Sequence, residues 1–328
     1  MMTILRTVRN VALRLINTRR IYTALEGMPQ DCTIPIFVIA SPRDMHLAPA
    51  FVRQVPRPFV CLLLANGLTQ TDIKWLKSRI ADIPLVPLIA SLSGNSRTYL
   101  SHGSVIRAAA DACRRDFVIQ DADCVVLNSG VWTAILNTPS DAYAAGPFWK
   151  PCNYPQFSLP DTFLVRISWD PYSRSMSKWK ITPEIAVKCP ANIGAALTKR
   201  GIAASQYPDT DKQYFDTLQL LWLAMELDGA AFHEVNATSE DVFHVGGSSY
   251  LMEHQSTART EQSEWTAGTI WFHLRYLELT NDPFLLQRYK HLPRIWGDSN
   301  SFASRFPKFQ SSSRYRTMCN ILHTVLEK

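Results

Sequence analysis

Two aspartates one position apart, Asp121 and Asp123, follow an apolar and largely β-branched stretch that begins at Phe117. Such a stretch is typical of a buried strand, and charged residues at the end of a buried strand border a cleft. Carboxylates at positions i and i+2 of an extended segment lie on one side, and a turn would let both approach a divalent cation. The spacing therefore predicts a cation site. The alternative is that both residues only end the strand as turn formers.

The residues before this strand predict the elements that position the aspartates. From residue 103 to 115, small and apolar residues recur at helical spacing, and Arg114 and Arg115 favour the C-terminal end of a helix. Apolar stretches nearer the N-terminus predict strands at 36–40, 59–65 and 85–89, with a helix at 71–80. Strands that are apolar throughout and alternate with helices indicate a parallel sheet covered on both faces. The fold class expected is therefore α/β.

These motifs together resemble the core of the GT-A glycosyltransferases, in particular the inverting enzymes of family 2. The resemblance rests on Asn95, the pair His102-Gly103, the Ala-rich helix that follows, and the triplet Asp121-Ala122-Asp123. It implies a GT-A fold, which is a Rossmann-like and mostly parallel sheet covered by helices. It also implies transfer of a sugar from a nucleotide-diphosphate donor, preferably a UDP-sugar, to a hydroxyl of a glycan or glycolipid acceptor. The implied cofactor is Mn²⁺ or Mg²⁺.

The resemblance also implies roles for individual residues. Asp121 and Asp123 would hold the cation on the donor diphosphate, with His244 completing the metal shell. His102 and Gly103 would lie beside the donor. A mixed shell of oxygen and imidazole ligands suits Mn²⁺ and still admits Mg²⁺. For His244 a purely structural role is the alternative.

The chain departs from the family pattern where the second strand ends. Similar enzymes carry an acid there that contacts the donor base, whereas this chain has Ala65. Ser41 and Asp44 after the first strand, or Asn66 itself, could take over recognition of the base. An ordinary tight turn is the alternative for Asn66-Gly67. The identity of the base therefore stays open.

Asp216 is the candidate for the general base of an inverting reaction. It lies in a segment, 211–228, whose apolar residues recur at helical spacing, which predicts a helix with Asp216 in its interior. Its place resembles that of the acid that faces the acceptor hydroxyl in similar transferases. A carboxylate within hydrogen-bond reach of that hydroxyl could remove its proton. The alternative is a solvated helix acid.

Residues 1–25 contain five arginines and no acidic residue. Apolar residues at helical spacing between the arginines predict a basic amphipathic helix, and residues 1–22 could lie in an anionic membrane interface. A helix packed on the body of the protein is an equal alternative, and an organelle transit peptide is a third. The arginines interrupt any apolar core of a secretory signal.

Composition and charge restrict the partners and the cellular location that we expect for the protein. The net charge of +6 is spread along most of the chain and comes with no recognised nucleic-acid motif, so no nucleic-acid partner is expected. The seven cysteines include no CxxC pair, which indicates reduced thiols and a cytoplasmic protein, peripheral on the inner face of a membrane if the N-terminal helix binds there. We expect a helical segment at 1–29, a GT-A domain at 30–255 and a helical extension at 256–328.

Two other functions stay in consideration. A sugar-nucleotide nucleotidyltransferase also uses a parallel sheet and paired carboxylates, but it usually carries a Gly-rich basic loop after its first strand. Residues 40–44 contain no glycine, which argues against this function. The second is a non-catalytic binding protein that kept the fold, because Ala65 removes one expected donor contact.

Overall fold

The computed structural model describes residues 2–28, 34–56, 59–91, 99–139, 142–149, 159–201, 215–246 and 264–326. The strands of its central sheet are β1 Pro35–Ala40, β2 Val60–Asn66, β3 Leu85–Leu88, β4 Phe117–Asp121, β6 Ala142–Gly146, β9 Leu164–Ile167 and β10 Ala231–Glu234. Two short ribbons flank it, one of β5 Cys124–Val126 with β11 Val242–His244, the other of β7 Phe148–Trp149 with β8 Leu159–Pro160.

The central sheet has seven strands in the order β10-β6-β9-β4-β1-β2-β3. β1 pairs in parallel with β2 and with β4, β2 pairs in parallel with β3, and β10 pairs in parallel with β6. Among the described strands of this sheet only β9 is reversed, since it pairs antiparallel with both β4 and β6. All six residues of β1 are buried, as expected for a central strand covered on both faces. The predicted mostly parallel α/β sheet is confirmed.

Helices cover both faces of the sheet. The first eight are α1 Met2–Glu26, α2 Ala48–Val52, α3 Gln70–Arg79, α4 His102–Cys113, α5 Ser129–Leu136, α6 Trp169–Trp179, α7 Ala191–Lys199 and α8 Gln219–Leu227. The next six are α9 Glu264–Thr280, α10 Pro283–Arg288, α11 His291–Trp296, α12 Ser299–Ser304, α13 Pro307–Gln310 and α14 Ser313–Leu326. Among the described residues, none of the helices combines the length and apolar character that a bilayer span requires.

Side chains at alternate positions of the central strands pack in two separate hydrophobic cores, one on each face of the sheet. On one face Ile36 and Val38 of β1 pack in a cluster with α2, α5 and the helices from α9 onwards. On the other face Phe37 and Ile39 pack in a cluster with α1, α4 and α8. The period of two along β1 thus distributes its side chains to both layers of helices.

Helix α1 lies on α4 and on the end of β3. Asn17 donates from Nδ2 to the carbonyl of Ile89 (2.9 Å), and its Oδ1 accepts from the Ile89 amide (2.8 Å). Arg20 donates to the carbonyl of Pro87 (2.8 Å). The face of α1 that carries Leu13 and Asn17 is therefore packed on the body of the protein.

Buried polar contacts attach the C-terminal helices to the sheet. His46, before α2, and His273, in α9, are both buried, and Nε2 of the first lies 2.7 Å from Nδ1 of the second. Arg288 of α10 donates from Nε to Asp72 of α3 (3.0 Å). Asp72 also closes a capping box with Thr69 at the start of α3. These contacts fix the C-terminal helices relative to the loop after β1 and to α3.

The predicted helix over 211–228 is wrong at its start. α8 begins at Gln219, and Asp216 precedes it in a turn. Two features keep the chain out of the helical conformation before Gln219. Phe215 forms an isolated antiparallel bridge with Ala186, and Leu218 has a φ of +66°. A left-handed residue cannot continue a right-handed helix. Residues 211–214 lie outside the described residues.

Candidate active site

The two predicted metal-binding aspartates follow β4, at the carboxyl end of the parallel strands. β4 ends at Asp121, and a tight turn through Asp123 leads into β5. β5 pairs antiparallel with β11, in a register that places His244 opposite Cys124. The amide of Val245 donates to the carbonyl of Asp123 (2.9 Å). The β5–β11 ribbon therefore carries a histidine from far along the chain back to the aspartate turn.

The side chains of Asp121, Asp123 and His244 converge. Nε2 of His244 lies 3.2 Å from Oδ1 of Asp123 and 3.8 Å from Oδ2 of Asp121. One ligand atom from each of the three residues lies within 4.8 Å of the others, and in the described part of the chain this is the group with metal-ligand geometry. Two carboxylates and one imidazole are a donor set that suits Mn²⁺ and admits Mg²⁺. The residues present thus fit the cation that the sequence predicted.

The crowding of negative charge alters the protonation of this group. Burial, with the neighbouring charge of Asp123, raises the pKa of Asp121 to about 8. Burial alone would lower the pKa of His244, but the attraction of Asp123 and Asp121 outweighs burial and raises that pKa to about 9. The protonated imidazole therefore offsets the negative charge of the acidic pair in this buried place.

His102 is the first residue of α4 and faces the same aspartates. Its Nε2 lies 3.1 Å from Oδ1 of Asp121, although the two are not aligned as a hydrogen bond. Burial lowers the pKa of His102 to about 4, so this imidazole is neutral at pH 7. The site thus contains one neutral and one protonated histidine.

Gly103 permits a close backbone approach between α4 and a neighbouring loop. A Cβ atom at this position would lie 2.5 Å from the carbonyl oxygen of Pro183 and 2.5 Å from Cα of Glu184. Contacts this short with backbone atoms do not occur, so a larger residue would push α4 away. The loop at 183–184 also holds the segment before α8, because the amide of Leu218 donates to the carbonyl of Pro183 (2.9 Å). Gly103 therefore couples the position of His102 to that of the Asp216 turn.

The polar residues proposed to recognise the donor base lie in the turn after β1 and at the end of β2. Asp44 accepts from the amide of Ser41 (2.7 Å) and from its Oγ (3.0 Å). Burial, with the nearby charge of Asp123, raises the pKa of Asp44 well above its usual range. Asp44 therefore closes the turn after β1 and adds one more carboxyl group near the metal-binding aspartates.

Asn66, at the end of β2, holds the loop that precedes α4. Its Nδ2 donates to the carbonyl of Leu100 (2.9 Å), and its Oδ1 accepts from the Leu100 amide (2.8 Å). The guanidinium of Arg43 lies 4.8 Å from the ring centroid of Tyr99, which connects this loop to the turn after β1. The turn after β1 and the end of β2 therefore both contact the loop before α4 at the carboxyl edge of the sheet.

Asp216 lies near the cation group. Its negative charge opposes the lowering of the pKa of His102 and adds to the raising of the pKa values of Asp121 and Asp161. Oδ1 of Asp216 accepts from the amide of Thr217 (2.8 Å), while its own amide donates to Oε1 of Gln219 (2.8 Å). The turn before α8 thus fixes the carboxylate within electrostatic range of the candidate metal ligands.

Asp161 is a site residue that the sequence analysis missed. It lies between β8 and β9, and its Oδ1 accepts from the amide of Thr162 (2.7 Å). Burial raises its pKa, and the positive charge of His244 opposes that shift. The ring of Phe163, two residues on, stacks on the His244 imidazole with centroids 4.6 Å apart. The available signal was an aspartate between Pro160 and the apolar stretch that forms β9.

The sheet and the acidic pair agree with the fold that the sequence predicted. A mostly parallel seven-stranded sheet with an acidic pair at the carboxyl end of a central strand is consistent with the GT-A glycosyltransferase fold. Residues 18–171, just under half of the chain, match the family model described as the StrH glycosyltransferase N-terminal domain. The match includes Asp121, Asp123 and Asp161, and it ends before Asp216 and His244. No curated protein matches the chain.

Solved structures that resemble the chain include three glycosyltransferases. The apo form of GlyE from Streptococcus pneumoniae TIGR4 is 9% identical with a TM-score of 0.35, and the match covers 64% of this chain and 46% of that one. The apo bifunctional enzyme WbbM is 11% identical with a TM-score of 0.39, covering 80% and 52%. Glucosyl-3-phosphoglycerate synthase from Mycobacterium tuberculosis, in complex with Mg²⁺ and uridine diphosphate, is 12% identical with a TM-score of 0.38, covering 81% and 84%. The chain thus spans about half the length of GlyE and WbbM.

Proposed function

We propose that this protein transfers a sugar from a UDP-sugar to a hydroxyl of a glycan or glycolipid acceptor in a reaction that depends on Mn²⁺ or Mg²⁺. The observation that carries the proposal is the convergence of Asp121, Asp123 and His244, whose ligand atoms lie within 4.8 Å of one another. The convergence occurs at the carboxyl edge of the parallel strands, where α/β sheets bind their ligands.

In this proposal Asp121, Asp123 and His244 hold the cation. The metal would supply positive charge to the diphosphate as it leaves the sugar. The deprotonated forms of Asp121 and His244 are the ones that bind metal, so binding would release the protons that their raised pKa values retain. His102, neutral at pH 7, would stand beside the donor diphosphate at the first turn of α4.

The nucleoside would lie over the loops after β1 and β2. Ser41, Asp44 and Asn66 border this region. The carboxyl of Asp44 and the amide of Asn66 already hold backbone groups of these loops. Their part in recognition would therefore be to shape the loops that meet the base.

For the acceptor we propose an inverting reaction with Asp216 as general base. An inverting transfer requires removal of the acceptor proton as the hydroxyl attacks the anomeric carbon opposite the diphosphate. Asp216 is held by its turn within electrostatic range of His102 and Asp121. Asp161 is the second candidate, because it is a largely buried carboxyl in the same group of charges.

We also propose that α1 contacts an anionic membrane. Val8, Val11, Leu15 and Tyr22 expose 61%, 41%, 60% and 50% of their surface. At about 100° per residue they fall within an arc of roughly 60° on the helix. The packed residues Leu13, Asn17 and Ile21 lie on the opposite side. With five arginines and no acid in residues 1–25, this stripe suits the anionic inner face of a membrane, and hence a cytoplasmic location.

The test is a screen of nucleotide sugars for binding and turnover with and without Mn²⁺. We expect metal-dependent transfer or slow donor hydrolysis with a UDP-sugar. Asp123→Asn removes one charged ligand at nearly constant volume, so it should abolish the Mn²⁺-stimulated rate while the protein stays folded.

The alternative outcomes separate the rival functions. Release of diphosphate from a nucleoside triphosphate would favour a nucleotidyltransferase. Donor binding without turnover would favour a non-catalytic protein of this fold. Unchanged turnover of Asp123→Asn at saturating donor would exclude the assigned metal site.

A further inference from the structure

A cavity of about 660 Å³ lies between α1, α4 and the loops around them. We call it the α1–α4 cavity. It shares Tyr99, Leu100 and Ser101 with the loop that Asn66 holds, while its remaining wall comes largely from α1. None of the candidate metal ligands lines it. It is therefore a separate recess that borders the loop before α4.

The wall of the α1–α4 cavity carries a surplus of positive charge. Arg9 and Arg14 of α1 and Arg107 of α4 line it, whereas Glu184 is the one acidic residue in the lining. Oε1 of Glu184 accepts from Oγ of Ser104 (2.7 Å), so one oxygen of this carboxylate already has a hydrogen bond. Among the described residues, three guanidinium groups face one carboxylate in the lining and Asp111 beside Arg14, so a net positive charge remains that attracts anions.

Two of the guanidinium groups contain buried donors without an acceptor. Nε of Arg14 and Nε of Arg107 are buried and have no hydrogen-bond partner among the described residues. The nearest charged partner of Arg14 is Asp111, whose Oδ2 lies 3.7 Å from Nε, too far for a hydrogen bond. Buried polar donors are nearly always paired in proteins, so unpaired ones suggest a missing acceptor.

The first turn of α4 borders the same cavity. Ser101, the N-cap of α4, and Ser104 in its first turn both line the α1–α4 cavity, and both hydroxyls already donate, that of Ser101 to Oγ of Ser104 (2.8 Å) and that of Ser104 to Glu184. The positive end of the α4 dipole therefore lies beside the arginines. Guanidinium N–H groups and a helix N-terminus are groups that bind phosphate in proteins.

We propose that the α1–α4 cavity binds a phosphate group. Arg14 and Arg107 would donate to its oxygens, with Arg9 at the exposed rim. Free phosphate or diphosphate and the headgroup of an acidic lipid share this chemistry. The exposed stripe on α1 would bring a lipid headgroup within reach of the same recess. The proposal does not depend on the transfer reaction, because the cavity uses none of the residues assigned to metal or base.

Calorimetric titration of the full chain with inorganic phosphate and with diphosphate tests the proposal. A chelator should be present, so that no metal ion held by Asp121 and Asp123 can bind the added anion. We expect Arg107→Gln to weaken binding about tenfold or more, since a hydrogen bond to a charged group is lost. Arg294→Gln removes the same charge from the exposed surface of α11 and should leave binding unchanged.

Vesicles of phosphatidylcholine with and without phosphatidic acid form the second arm. If Arg107→Gln weakens vesicle binding but not phosphate binding, the ligand is a lipid headgroup; the reverse identifies a free phosphate. Arg14→Gln serves as the second variant, and thermal melting shows whether each variant is folded. If folded Arg107→Gln and Arg14→Gln bind phosphate, diphosphate and vesicles as the wild type does, the proposal is wrong.

Discussion

At the scale of single residues, two carboxyl groups are candidates for the general base of the proposed reaction. Asp216 lies in the turn before α8, and Asp161 lies in the loop before β9. Both affect the protonation of Asp121, and the pKa of Asp161 is raised by burial. Their backbone contacts are local in both cases, so substitution by asparagine preserves size and removes the charge.

We expect Asp216→Asn to lower the rate of transfer by about a hundred- to ten-thousandfold, the usual effect of losing a general base. Donor binding and slow metal-dependent donor hydrolysis should persist, because the cation group is intact. The measurement is turnover with acceptor beside donor hydrolysis without it, for Asp216→Asn and Asp161→Asn. Asp170→Asn, an exposed acid in α6, is the control.

The pair of variants decides between the two carboxyl groups. A wild-type transfer rate for Asp216→Asn with a large loss for Asp161→Asn would assign the base to Asp161. A product that retains the anomeric configuration of the donor would exclude an inverting base at either position.

At the scale of elements, α1 presents its packed and its exposed faces on opposite sides. We expect the triple substitution Val8→Ser, Val11→Ser and Leu15→Ser to reduce binding to anionic vesicles about tenfold or more, because it removes apolar surface that would be buried in the interface. Cosedimentation with vesicles containing phosphatidylglycerol measures the effect. Raising the salt concentration should also weaken binding through the arginines.

Val187 provides a matched control for the stripe, since it exposes 74% of its surface and lies outside α1. Val187→Ser removes apolar surface of the same kind and should leave vesicle binding as in the wild type. Equal binding by the triple variant and the wild type would contradict a membrane role for α1.

The sequence predicted those elements whose pattern is local. The apolar stretches that form β1, β2 and β4 are visible without tertiary information, and so is the aspartate pair that follows β4. The start of α8 could not be predicted, because it depends on the bridge between Phe215 and Ala186, which is a non-local contact.

Two features of the candidate site likewise depend on contacts between segments that are far apart in sequence. Asp161 reaches the site because β9 inserts antiparallel between β4 and β6. The side-chain amide of Asn66 is hydrogen-bonded to the backbone of Leu100, because the loop before α4 folds back over β2. The neighbouring residues of Asp161 mark the start of a strand, and in neither case do they show which distant segment is contacted.

At the scale of the whole molecule, the buried pair of His46 and His273 joins the C-terminal helices to the sheet. Burial lowers the pKa of both imidazoles, that of His273 to about 4 from the ordinary 6.5. Below pH 6.5 the unfolded chain therefore binds protons that the folded chain does not. The free energy of unfolding is fully retained above pH 6.5 and falls as the pH drops towards 4.

We expect this loss to reach about 3 kcal/mol for His273 alone, because each pKa unit corresponds to about 1.4 kcal/mol. His273→Gln should flatten the dependence of the free energy of unfolding on pH between 6.5 and 4. Urea denaturation at a series of pH values measures it. Above pH 7 the variant and the wild type should show the same slope, and an equally steep loss in His273→Gln at acid pH would contradict the assignment.

The hydrogen bonds from α1 to Ile89 and Pro87 have a consequence for self-association. β3 is the last strand of the sheet, and the backbone groups at its end would otherwise be free to pair with another chain. Natural proteins protect such exposed strands, because unpaired ones recruit other strands and aggregate. Asn17 and Arg20 occupy part of this edge, so a chain shortened by its first helix should polymerise through β3. If deletion of α1 lowers the solubility of the protein, the cause would then be pairing of exposed β3 strands between chains rather than the loss of a membrane contact.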